Sequence, residues 1–195
     1  MFKGFLDELA KASVEGSLLL AFEIKLLETL GFSPKMEGSA LPVGSRKALE
    51  RVPEGKPDWK PHPKSMALGY LATLVATMPA WIAMAVEQDA LDLNPPGGGG
   101  YKAPTWSTTA ELIATLDDSI AKAKKALAGA SDEHLLTPWK LLVAGNVVME
   151  SPRHVVVEDT FCHLSHHRGQ LTVYLRLNEV AVPSIYGPTA DEKTF

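Results

Sequence analysis

The 21 residues from Met66 to Val86 contain no charged side chain, and this run constrains the fold more than any other feature of the chain. About 20 apolar residues suffice to cross a bilayer as a helix, so length alone admits a membrane span. Ala, Thr, Gly69 and Pro79 dilute the run, however, and no second segment of the same kind accompanies it. A helix that is apolar around its whole circumference is equally the buried member of a soluble bundle, and we read it so: a helix over 65–88, with no membrane. Such a helix needs partners that cover it, and the remaining sequence must supply them.

Helical periodicity supplies the partners. Phe2, Phe5, Leu6 and Leu9, then Leu19, Leu20, Leu26, Leu27 and Leu30, recur at three- and four-residue steps and predict a helix over 2–30, stopped by Gly31 and Pro34. Residues 31–45 read as a loop, with a short helical return over Arg46–Arg51. The stretch from Asn94 to Tyr101 holds two prolines and four glycines and predicts a flexible crossover. Thr108 followed three residues later by Glu111 is a capping-box pattern that opens a third helix. Its apolar stripe is Leu112, Leu116, Ile120, Ala123 and Leu127, and Gly129 is its stop. Between Trp139 and Glu150, β-branched residues around Ala144-Gly145-Asn146 suggest a small hairpin. Ser151 as N-cap and Pro152 at the first helical position then begin a fourth helix that runs to about Asn178. The expected fold is all-α: a four-helix bundle with a long crossover and a small β-hairpin, in one domain over 1–195.

Composition excludes several function classes. A chain of 195 residues buries enough surface to fold without disulfides or a structural metal. Its 19 basic and 23 acidic residues, net −4, form no dense basic cluster, which argues against nucleic-acid binding. Cys162 is the single cysteine, as expected of a reducing compartment, and Asp7 and Glu8 fall where a secretory signal would be apolar. A cytoplasmic location is expected.

One segment carries chemistry. His163 and His167 stand four residues apart, so a helix projects both from one face, about one turn apart, where they can share a divalent metal. His166 points away from that line. Imidazole suits zinc, nickel, copper or iron, and a catalytic zinc site takes three protein ligands, of which this pair is two. The competing reading is a pair of ordinary core or cleft histidines. Gly169, inside the same helix, suggests close approach of a backbone or ligand, or tight packing. Asp159 is placed to orient His163, although an exposed carboxylate on the helix face is the commoner outcome; Cys162 reads as a buried inert thiol, and His62, His134 and His154 read as solvated.

The chain resembles the DinB/YfiT-like superfamily of small bacterial metal-binding helical proteins. The resemblance rests on Trp59 to Met66, Pro95 to Tyr101, Pro138-Trp139, His163 to Tyr174 and Pro183 to Pro188, within residues 46–192. It implies a bundle, frequent homodimers, and a three-histidine site for a divalent metal such as zinc or nickel. Relatives include thiol S-transferases and a thiol-dependent isomerase. The paired ligands fall on His163 and His167, but where the pattern places its third histidine this chain has Leu74, and residues 13–44 form an excursion without counterpart.

Three functions follow as expectations. The first is a DinB-like protein with an incomplete histidine site, binding metal weakly or not at all, without assured catalysis. The second is a metal-dependent thiol S-transferase or hydrolase with a replacement third ligand, its thiol cofactor unidentified. The third is a metal-free helical scaffold that binds a small molecule or partner. A homodimer is compatible with all three.

Overall fold

The computed structural model describes residues 40–99 and 104–193. The helix expected over 2–30, most of the 13–44 excursion and the crossover residues 100–103 lie outside the described residues. Along the chain come α1 (Ala40–Leu49), α2 (Leu68–Glu87), β1 (Ala90–Asp92), α3 (Thr109–Gly129), α4 (Asp132–Leu135), β2 (Pro138–Val143), β3 (Asn146–Pro152) and α5 (Arg153–Leu177). The described part is mostly helical with a small three-stranded sheet in the order β1-β2-β3. The all-α expectation is amended accordingly: β1 pairs parallel with β2 and extends the expected hairpin by one strand.

Helix α2 is long and apolar enough for a membrane, yet 15 of its 20 residues are buried within the protein. Leu68, Leu71, Leu74, Val75 and Met78 form one core with Leu112 and Leu116 of α3 and Leu164, Leu171 and Leu175 of α5. Burying each such side chain contributes roughly 1.5–3 kcal/mol, so the uncharged run is the center of the fold. The helix continues through Pro79. It starts at Leu68, not Ser65, because the preceding segment folds beneath it: the Leu68 and Gly69 N–H groups donate to the carbonyls of Trp59 and Pro57, at 2.9 and 2.8 Å. A Cβ on Gly69 would lie 3.0–3.2 Å from Pro57, so glycine is what permits this approach.

The other end of α2 carries no basic residue in its last turn, and its terminal carbonyls would be orphaned. Arg153, at the start of α5 and only 2% exposed, reaches them. Its Nη1 donates to Ala85 O at 2.6 Å and to Gln88 O, and its Nη2 pairs with Asp89 at 2.5 Å. His134 Nε2 adds a bond to Val86 O at 2.6 Å. A guanidinium here also complements the negative end of the helix dipole. At the far end of α5, Tyr174 Oη donates to Met66 O at 3.1 Å, so α2 and α5 run antiparallel.

Two further helix boundaries differ from expectation. α1 begins at Ala40, within the predicted loop, because Gly44 and Ser45 are buried rather than turned to solvent. A Cβ on Gly44 would fall 2.6 Å from Ile185, so this glycine serves close packing. Ser151 does not cap α5: it pairs with Trp139 in the β-ladder, leaving Pro152 at the cap position without a side-chain bond. The capping box of α3 forms as expected, with reciprocal 3.3 Å bonds between Thr108 and Glu111.

The hairpin turns at Ala144-Gly145, both at positive φ (51° and 80°), the pairing that matches strand twist in two-residue loops. Asp92 of β1 accepts both turn amides, at 3.1 and 2.7 Å, and so locks the third strand to the hairpin. Beyond α5 the chain returns across α1. Lys47 Nζ donates to Ser184 O at 2.9 Å, Arg51 pairs with Glu192, and the buried Arg168 bonds the Tyr186 hydroxyl.

Candidate functional site

His163 and His167 lie in the middle of α5, and four-residue spacing brings them together as expected: their Nε2 atoms are 2.9 Å apart. His167 is buried, 7% exposed, while His163 stands at the surface with its ring edge-on to Trp81 of α2, centroids 5.8 Å apart. Gln170 Oε1 accepts from His167 Nδ1 at 2.8 Å. A neutral imidazole has one N–H, so this bond leaves the lone pair of His167 on Nε2, where it accepts from His163 Nε2–H. Burial, and then the charges His167 and His166 would carry, hold the His163 pKa below its ordinary value.

This donor set meets a metal's requirements only in part. His167 has the arrangement of a ligand, with Nε2 free of its own proton and Nδ1–H fixed by an outer partner. Two nitrogens 2.9 Å apart, each about 2.05 Å from one ion, subtend roughly 90° there, narrower than the tetrahedral angle of structural and catalytic zinc. Among the described residues no group of three His, Cys, Asp or Glu side chains is placed to hold a metal. Leu74 is buried, 6% exposed, on the face of α2 that carries Trp81 seven residues later. With α5 antiparallel, Leu74 falls near the level of the histidine pair along the helix axis. The described residues supply two of the three donors of a catalytic zinc centre.

Several other sequence readings change. Cys162 is exposed, not buried, because it sits one residue from His163 on the outward side of α5. Among the described residues Gly169 meets nothing within 4 Å where a Cβ would be, and the glycines approached closely there are Gly69 and Gly44. His134 and His154 are not simply solvated, since each bonds a backbone carbonyl, of Val86 and Leu135 respectively. His62 is exposed, with Nδ1 accepting from the Lys64 amide. Asp159 is exposed on the helix face, the commoner of the two outcomes expected for it. The ring of His166 comes within 5.1 Å of that of His167.

A cavity of about 360 Å³ opens beside His163, between α2, α5 and the sheet. Its walls include Trp81, Met84, Leu141, Met149, Val156 and Trp139, with Asp159 and His163 at its polar edge. Trp139, 5% exposed, packs with Ala85 and Val156, and its indole N–H has no hydrogen-bond partner. Leaving such a donor buried and unpaired costs roughly 1–3 kcal/mol. Sequence reasoning noticed Trp139 only as part of a resemblance motif. The signal for a cavity wall was a large amphipathic ring in a short strand, and nothing in the sequence says which face of that strand is covered.

The fold has solved counterparts. A DinB-like protein from Bacillus cereus superposes with a TM-score of 0.57 at 19% identity, covering 75% of this chain and 91% of that one. A DinB-like protein from Bacillus subtilis gives 0.56 at 16% identity, covering 75% and 92%. No protein-family profile matches the chain. No curated protein sequence matches it either. The likeness is one of fold, and the chain has the DinB-like fold.

Proposed function

Starting from a DinB-like fold, we propose that this chain is a DinB-like protein with a depleted metal site: it holds a divalent cation weakly or not at all through His163 and His167, and works by binding a small molecule rather than by metal-dependent turnover. The observation that carries this reading is the donor set. Two imidazoles bonded to one another at 2.9 Å, with an aliphatic Leu74 at their level on α2, supply two ligands where a catalytic zinc site takes three. Binding an ion also requires breaking the bond between the rings and moving the proton of His163 to Nδ1. The four-helix count, which includes the helix over 2–30, a homodimer and a cytoplasmic location belong to the same proposal.

The test is elemental analysis and zinc or nickel titration of the full chain without a histidine tag. The expected result is no stoichiometric metal after dialysis, and titration at or above the micromolar range that His163→Gln weakens further. Stoichiometric zinc or nickel surviving dialysis would overturn the reading in favor of a complete centre with a replacement ligand.

A further inference from the structure

We propose that the cavity beside His163 binds a small hydrophobic amine, whose apolar body lies on the sheet and whose ammonium group stays at the mouth beside Asp159. The proposal deepens the small-molecule reading above and rests on it for its biological use, although the binding itself is measured independently of any metal.

Three surfaces build the cavity, and the spacing of the lining residues along each element shows which side it presents. The sheet contributes Leu91, Leu141 and Met149, paired across the ladders as Leu91 with Leu141 and Leu141 with Met149, so the three form one cross-strand apolar row. α2 adds Trp81 and Met84, about one turn apart. α5 adds Val156, Asp159, Thr160 and His163, the spacing of a single helix face. On that face Val156 and Thr160 are buried while Asp159 and His163 are exposed, so an apolar floor gives way to a polar mouth. The volume, about 360 Å³, lies in the range of small-molecule sites, which are apolar with a few polar groups that fix orientation. The thioethers of Met84 and Met149 favor an aromatic body.

Charge narrows the class further. Among the described residues no Lys or Arg lines the cavity, and nothing pairs with the carboxylate of Asp159. A ligand carboxylate or phosphate would therefore meet no counter-charge and would be repelled at the mouth, where an ammonium is attracted. Inside, the Thr160 hydroxyl is already committed to Val156 O at 2.7 Å, so the floor offers that group to no second polar end. An ammonium that stays at the exposed mouth keeps much of its water, and its desolvation does not cancel the attraction as it would in the interior. An exposed ion pair of this kind shifts affinity by roughly two- to fivefold.

Equilibrium dialysis of the full chain in EDTA, at about pH 8 where an alkylammonium is charged and an imidazole is not, tests this with three probes of similar shape. They are 2-(2-naphthyl)ethylamine, 2-(2-naphthyl)ethanol and 2-naphthylacetate. The amine is expected to bind roughly two- to fivefold more tightly than the alcohol, and the carboxylate more weakly than the alcohol by a similar factor. Asp159→Asn, a change at an exposed position, is expected to remove both differences while leaving the alcohol's affinity as it was. Met149→Trp, which fills the cavity from a partly exposed position, is expected to remove binding of all three probes, and Asp159→Asn carries the test should that variant fail to fold by circular dichroism. Absence of amine binding by the parent at millimolar probe, an amine bound no more tightly than the alcohol, a preference that survives in Asp159→Asn, or binding unchanged in folded Met149→Trp would each overturn the proposal. An alcohol that binds as tightly as the amine would leave the small-molecule reading standing and defeat only the amine. Because EDTA is present throughout, stoichiometric metal in the untreated protein would defeat the depleted-site reading without deciding this one.

Discussion

On one side of His163 lies the histidine pair and on the other the apolar cavity, and the two regions treat their polar groups in opposite ways. In the pair, three of the four ring nitrogens already have a partner within the helix: His163 Nε2 and His167 Nε2 on one another, and His167 Nδ1 on Gln170. Beside the cavity, the indole N–H of Trp139 is buried with no hydrogen-bond partner among the described residues. The residues that resemble a catalytic motif are therefore the ones that have satisfied themselves, while the unsatisfied group sits in a strand with no recognizable motif. A side chain's fitness for a ligand depends on what its neighbours leave undone, not on its type.

The comparison breaks most severely at Arg153, which builds the cavity end of the α2–α5 pair and leaves the histidines untouched. Arg153→Met strands the carbonyls of Ala85 and Gln88, and the expected loss is about 2–3 kcal/mol in urea unfolding, its exposed partner Asp89 adding little. An unchanged midpoint would mean that water satisfies those carbonyls and that the helix end needs no guanidinium.

Leu74→His sharpens the other side. Supplying the third imidazole is expected to raise zinc or nickel affinity roughly tenfold or more, an effect at least as large as that of an outer-sphere partner, as read by calorimetric titration. If the variant binds no better than the parent, Leu74 does not face the pair and the depletion argument fails. Smallest is Gly169→Ala. With open space around a new Cβ in mid-helix, the substitution is expected to stabilize by about 0.5–1 kcal/mol, seen as a higher urea midpoint. Destabilization would show that the histidine side is tightly approached after all.

How much was legible from sequence varies with the range of the interaction. The periodicity of Leu112, Leu116 and Ala123 placed α3, and the uncharged run placed α2 within a few residues. The error at Ser151 arose because a proline after serine fits both a helix start and the last residue of a strand, and the partner that decides, Trp139, is 12 residues away. Gly44 was read as a loop signal because a missing Cβ looks the same whether it allows a turn or admits Ile185. Strand β1 was missed for a related reason: three residues carry no period, and the strand exists because Asp92 anchors the hairpin turn.

What the sequence by itself determined is therefore local. The reciprocal Thr108–Glu111 cap, the Ala144-Gly145 turn and the approach of two imidazoles four residues apart all follow from backbone geometry within one or two turns of chain. The tertiary structure decided the rest: that Arg153 closes α2 across more than 60 residues, that Cys162 faces outward, and that the Trp139 N–H is buried without a partner. Burial and hydrogen-bond satisfaction depend on which distant surfaces meet, and no window along the chain contains both.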